Sequence, residues 1–142
     1  MNTEKKSFLA EFSRKAMQRL QDKKVPRYQT LHIPSMDADL KIRSLTNAEI
    51  IECLKTDDND DPNRSDKYCI YLAAVEPSLK DTANEIMKAE AELPAEQRTL
   101  QEPLDIMNIF YFGEIQSLAK KVMELSGVLN TKEITVVEQL KN

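Results

Sequence analysis

The chain has 142 residues, of which 41% are hydrophobic and 31% charged, and its net charge is −4. That length suggests one domain, able to bury roughly two-thirds of its unfolded surface without staples. The acidity disfavours general binding to a phosphate backbone. The two glycines, Gly113 and Gly127, exclude a G-x-G-x-x-G fingerprint or a P-loop and leave few positions for positive φ, so a mostly helical chain is expected.

MNTEKKSFLAEF has no signal-peptide pattern, and no apolar run is long enough to span a bilayer. A cytosolic protein with reduced Cys53 and Cys69 follows, both read as small buried hydrophobes. Residues 3–23 predict an amphipathic helix, with Phe8, Leu9, Phe12, Ala16, Met17 and Leu20 at helical spacing. Its other face carries Lys5, Lys6, Arg14, Lys15, Arg19, Lys23 and Lys24, diluted by Glu4, Glu11 and Asp22, and reads as a solvated face. Pro26 ends it. YQTLHI and DLKIRSL then alternate apolar with polar residues around the turn PSMDAD, which predicts a β-hairpin over residues 27–44.

Thr46 and Glu49 form a T-x-x-E capping box that opens a helix over residues 47–55, with Ile50, Ile51 and Leu54 as its inner face. The acidic run DDNDDPN follows. As a calcium loop starting at Asp57 it has oxygen ligands at positions 1, 3 and 5, but Pro62 replaces the glycine at 6 and Tyr68 the glutamate at 12. It reads instead as a polar link, with Ser65 or Asp66 capping the next helix. That helix, residues 67–76, is apolar nearly all round and so central, and Pro77 ends it. Residues 82–92 predict a charged helix and LPAEQRTLQEP a polar connection.

Residues 104–112 give a second all-round apolar helix, interrupted by Gly113. A stripe of Ile115, Leu118, Ala119, Val122 and Leu125 continues to Gly127, placed as a C-cap. In the tail, Ile134, Val137 and Leu140 have helical spacing and would form a short helix or fray. The expected fold is mainly α (α+β), a compact helical domain of about five to six helices with one small N-terminal β-hairpin. Its parts are the helix 1–25, the hairpin 27–44, the helical core 46–127 and a tail 128–142, all in a single domain.

No set of residues has the spacing of a catalytic or metal site. His32 is the only histidine, and no four-ligand zinc set accompanies it. No catalytic residue, metal or cofactor is therefore assigned. The spare apolar surface of 104–112 singles out Phe110, Tyr111 and Phe112 as a protein-binding set, helped by Ile134, Val137 and Leu140.

LKIRSLTNAEI, YLAAVEPSLKD and FYFGEIQSLAKKVMELSG, in that order, resemble the XkdN-like tail assembly chaperones of phages and PBSX-type prophages of Gram-positive bacteria. The matching pieces are K-I-R-x-L-T within residues 40–46, V-x-P-x-L-K-D at 75–81, G-E-I at 113–115 and L-S-G at 125–127. The resemblance spans about residues 38–128 and leaves out the N-terminal helix. It implies a non-enzymatic factor of the bacterial cytoplasm that binds the tape measure protein, assists tail tube assembly and is absent from the virion. Its implied partners are the tape measure and tail tube proteins, with a homo-oligomer left open and neither nucleic acid nor membrane involved. A subunit retained in the phage particle and a helical DNA-binding regulator are the alternatives.

Overall fold

A computed structural model of the chain describes residues 3–57, 60–129 and 133–138. The order of elements is α1 (Thr3–Asp22), β1 (Tyr28–Ile33), β2 (Ala38–Arg43), α2 (Asn47–Leu54), α3 (Arg64–Ala73), β3 (Ala74–Glu76), α4 (Leu79–Ala89) and α5 (Phe112–Leu125). Short 3-10 turns occupy Pro34–Met36, Ala95–Gln97 and Pro103–Ile109. The fold is α+β, with helices packed around a three-stranded antiparallel sheet of order β1-β2-β3.

The expected hairpin is present: Tyr28 pairs with Arg43 and Ile33 with Ala38, around a turn in which Asp37 takes φ 47°. The third strand was not expected. Glu76 precedes Pro77, and the residue before a proline is pushed out of the helical region. The central helix therefore stops at Ala73, and Ala74 and Glu76 pair with Ile42 and Lys41 of β2 across an irregularity in register. Burial is as the all-round apolar pattern requires: Cys69, Ile70 and Ala73 of α3 are fully buried, and α3 packs chiefly on α5.

The β2–α2 junction is tied from both sides. The Thr46 hydroxyl accepts the Glu49 N–H at 3.2 Å, and the Glu49 carboxylate accepts the Thr46 N–H at 3.0 Å, completing the capping box. The Arg43 guanidinium grips the same carboxylate with bonds of 2.8 and 2.7 Å. That hydrogen bond from Arg43 holds the Glu49 carboxyl down at about 2. Leu45 N–H donates to the Ser126 hydroxyl at 2.9 Å, fastening the junction to the end of α5. There Gly127, at φ 82°, closes a Schellman motif: its N–H reaches Glu124 C=O and the Val128 N–H reaches Met123 C=O.

Three other expectations change. The run 104–112 is not an α-helix: a 3-10 turn ends at Ile109, Phe110 and Tyr111 are extended, and α5 starts at Phe112. The cause is Glu114, whose carboxylate accepts the Tyr111 N–H at 2.8 Å, so the helix begins ahead of Gly113. The helix expected over 82–92 begins earlier, at Leu79, because the Ser78 hydroxyl accepts the Asp81 N–H. Neither Ser65 nor Asp66 caps α3. Asp57 reaches across its loop to accept the Ser65 N–H at 3.1 Å.

Candidate functional site

The six residues singled out for protein binding divide three ways. Phe110 belongs to the core, at 6% exposure, because its segment packs against α3 and α4. Tyr111 and Phe112 are 73% and 60% exposed at the N-terminus of α5, beside half-exposed Ile109. Ile134 and Val137 are 95% and 98% exposed in a non-helical segment. Leu140 lies outside the described residues.

The geometry around Tyr111 and Phe112 is held from beneath. Phe110 N–H donates to Met107 C=O, which closes the 3-10 turn, and extended backbone at 110 and 111 turns the next side chains outward. Glu114 accepts from the Tyr111 N–H and from the Ser35 hydroxyl, which brings the β1–β2 turn to this helix end. The Ser35 and Tyr111 bonds hold the Glu114 carboxyl below its usual range. A two-residue aromatic projection thus stands on a fixed base.

Two further apolar faces are exposed. The stripe of α1 has Phe8 at 78% and Phe12 at 72% exposure, and no residue of the helix is buried. On α2 the inner face is Ile50 and Cys53, so Ile51 and Leu54, expected inside, are exposed. The i, i+3 pair Ile50–Cys53 was the available signal for that register. It competed with Ile51–Leu54 on equal spacing, and packing against α3 decided it.

The groups with chemical potential are engaged structurally. Burial pushes the thiol of Cys53 up to about 11 and that of Cys69 to about 12, which keeps both protonated and poorly nucleophilic. Asp57 holds α3, and Asp61 pairs with Lys67 at 3.2 Å. His32 is exposed on β1, its Nδ1 2.7 Å from Asp39. Among the described residues no group of three or more His, Cys, Asp or Glu is placed to hold a metal ion. None of their helices is long and apolar enough to cross a membrane.

An open cleft of about 1370 Å³ lies between the last turn of α1 and the β2–α2 junction, bordered by Arg19, Lys23, Arg27, Thr46 and Ser126. Its lining mixes Val25, Pro26, Leu45 and Ala48 with charged side chains, and it is open to solvent, unlike the enclosed pockets that take small molecules. The surface best suited to recognition is therefore the set of exposed apolar side chains. Comparisons with protein-family models, curated proteins and solved structures returned no match.

Proposed function

We propose that this chain is a non-enzymatic tail assembly chaperone of a phage or prophage. It acts in the bacterial cytoplasm, binds amphipathic helical stretches of the tape measure protein, keeps them from aggregating and assists assembly of the tail tube. The observation that carries this reading is the fixed, exposed pair Tyr111 and Phe112, accompanied by the exposed side chains of Ile134 and Val137. Aromatic anchors on a rigid base are suited to an apolar helix face, because they give large contact area at small entropic cost. The order of the K-I-R-x-L-T, V-x-P-x-L-K-D, G-E-I and L-S-G blocks supports the same reading.

The test is co-expression with the long helical protein encoded next downstream, followed by pull-down and size exclusion. Co-elution with the partner kept soluble is expected, and Tyr111→Ala with Phe112→Ala should weaken it at unchanged thermal stability. A chain that ignores that partner, or that is found by mass spectrometry in purified particles, would overturn the reading.

A further inference from the structure

We propose that β1 is a self-pairing strand: two copies of this chain join antiparallel along its free edge, centred on Thr30, into one continuous sheet. The order β1-β2-β3 leaves two edges. That of β3 is blunted, since the strand is only Ala74–Glu76, pairs with β2 across an irregularity and runs into Pro77. β1 has none of the devices that protect an edge. Tyr28–Ile33 holds no Asp, Glu, Lys, Arg or Pro, and its register with β2 is unbroken.

Hydrogen-bond parity fixes which groups this edge presents. The Ser44 N–H donates to Arg27 C=O at 2.7 Å, one step beyond the Tyr28–Arg43 pair. Alternate residues of an antiparallel strand bond to the same neighbour, so Gln29, Leu31 and Ile33 turn their backbone towards β2. Tyr28, Thr30 and His32 therefore point N–H and C=O away from the sheet. All three are exposed, and among the described residues no hydrogen bond meets those groups.

The edge is complementary to its own copy. With Thr30 opposite Thr30 of the second copy, Tyr28 faces His32 and His32 faces Tyr28, and each of these pairs exchanges two backbone bonds. The same two-fold axis keeps the exposed face continuous. On the other face it sets half-buried Leu31 against Gln29 and diagonally against the Leu31 of the second copy. Two prolines specify the register, because Pro26 and Pro34 stand symmetrically about Thr30. A slip of two residues puts one of them, without an N–H, at a bonded position. A slip of one residue misaligns the outward groups and turns the core face to solvent.

Other occupants fit less well. A helical client satisfies its own backbone groups and gains nothing from a strand edge. The exposed segment 133–138 offers no register bracketed by prolines. A strand pair buries less than the roughly 1,200–2,000 Å² of a stable interface, so the dimer belongs to high micromolar concentrations. It uses none of the residues assigned to the client.

Sedimentation of the full chain at such concentrations tests the arrangement, and a dimer is expected. Thr30→Lys and Thr30→Asp each set like charges directly opposite one another and should weaken it about fivefold or more. The Thr30 side chain is exposed, so melting temperatures should not change. Mixing the two variants should restore association as a heterodimer. Amide exchange at Tyr28, Thr30 and His32 should slow as concentration rises, and Ile134→Asp with Val137→Asp should leave the dimer intact. A monomeric wild type, a dimer indifferent to Thr30→Lys, no recovery on mixing, or a dimer lost with the 134 and 137 variants would each overturn the proposal.

Discussion

Replacing Phe110 by alanine separates core from surface within three adjacent aromatics. Phe110 is 6% exposed and sits in the cluster with Ile106 and Met107. Deleting a buried phenyl ring removes its transfer energy and leaves a cavity, at about 3–5 kcal/mol. A domain of this size is stable by roughly 5–15 kcal/mol, so the loss takes a large share of the total. At roughly 3–4 °C per kcal/mol, the melting temperature should fall by about 10–20 °C. Tyr111→Ala and Phe112→Ala, on exposed side chains, should each stay within about 0.5 kcal/mol of wild type. Urea denaturation followed by circular dichroism measures all three. A Phe110→Ala midpoint within about 1 kcal/mol of wild type would refute the placement of the ring, and so would a Tyr111→Ala variant that unfolds.

Three further outcomes follow from local geometry. Gly113 lies in the first turn of α5, with nothing within 4 Å of an added Cβ, so Gly113→Ala should stabilise by up to about 1 kcal/mol. Gly127→Ala at φ 82° should instead destabilise by about 1–2 kcal/mol; equal melting shifts for the two would contradict the assigned backbone. The Glu49 carboxyl lies at about 2, below its usual 4.5, because of the Arg43 hydrogen bond. A lowered folded value means stability present above pH 4.5 and lost as pH falls towards 2. Glu49→Gln should therefore remove on the order of 2 kcal/mol at neutral pH and flatten the acid limb of the stability profile, read by denaturant titration from pH 7 to 2. Asp57→Ala should cost about 1 kcal/mol through the freed Ser65 N–H, with hydrogen exchange rising first in α3; unchanged exchange there would count against the cap.

The sequence blocks that carry the family resemblance are joints of the fold. Arg43, Leu45 and Thr46 meet Ser126 at one corner, through the Leu45–Ser126 and Arg43–Glu49 hydrogen bonds. Ser78 starts α4, and Glu114 starts α5 while holding the β1–β2 turn. Their side chains set angles between elements. Phe8, Phe12, Ile51 and Leu54, outside those pieces, are exposed and serve no such joint.

Local chemistry made much of the architecture legible. The Thr46 capping box, the alternation of β1 and β2, the Gly127 cap and the stripe of α5 each depend on residues within a few positions of one another. The central place of α3 followed from its lack of a polar face. The pre-proline position of Glu76 was a local signal for the end of α3, but the strand that follows needed β2 alongside as its partner. Tertiary structure alone decided which apolar residues stay outside. Ile50 and Ile51 are equally hydrophobic, as are Phe110 and Phe112, and burial was allotted by what lay opposite: α3 for the first pair, α3 and α4 for the second. Spacing along one segment specifies a face, whereas whether that face meets protein or water depends on distant elements.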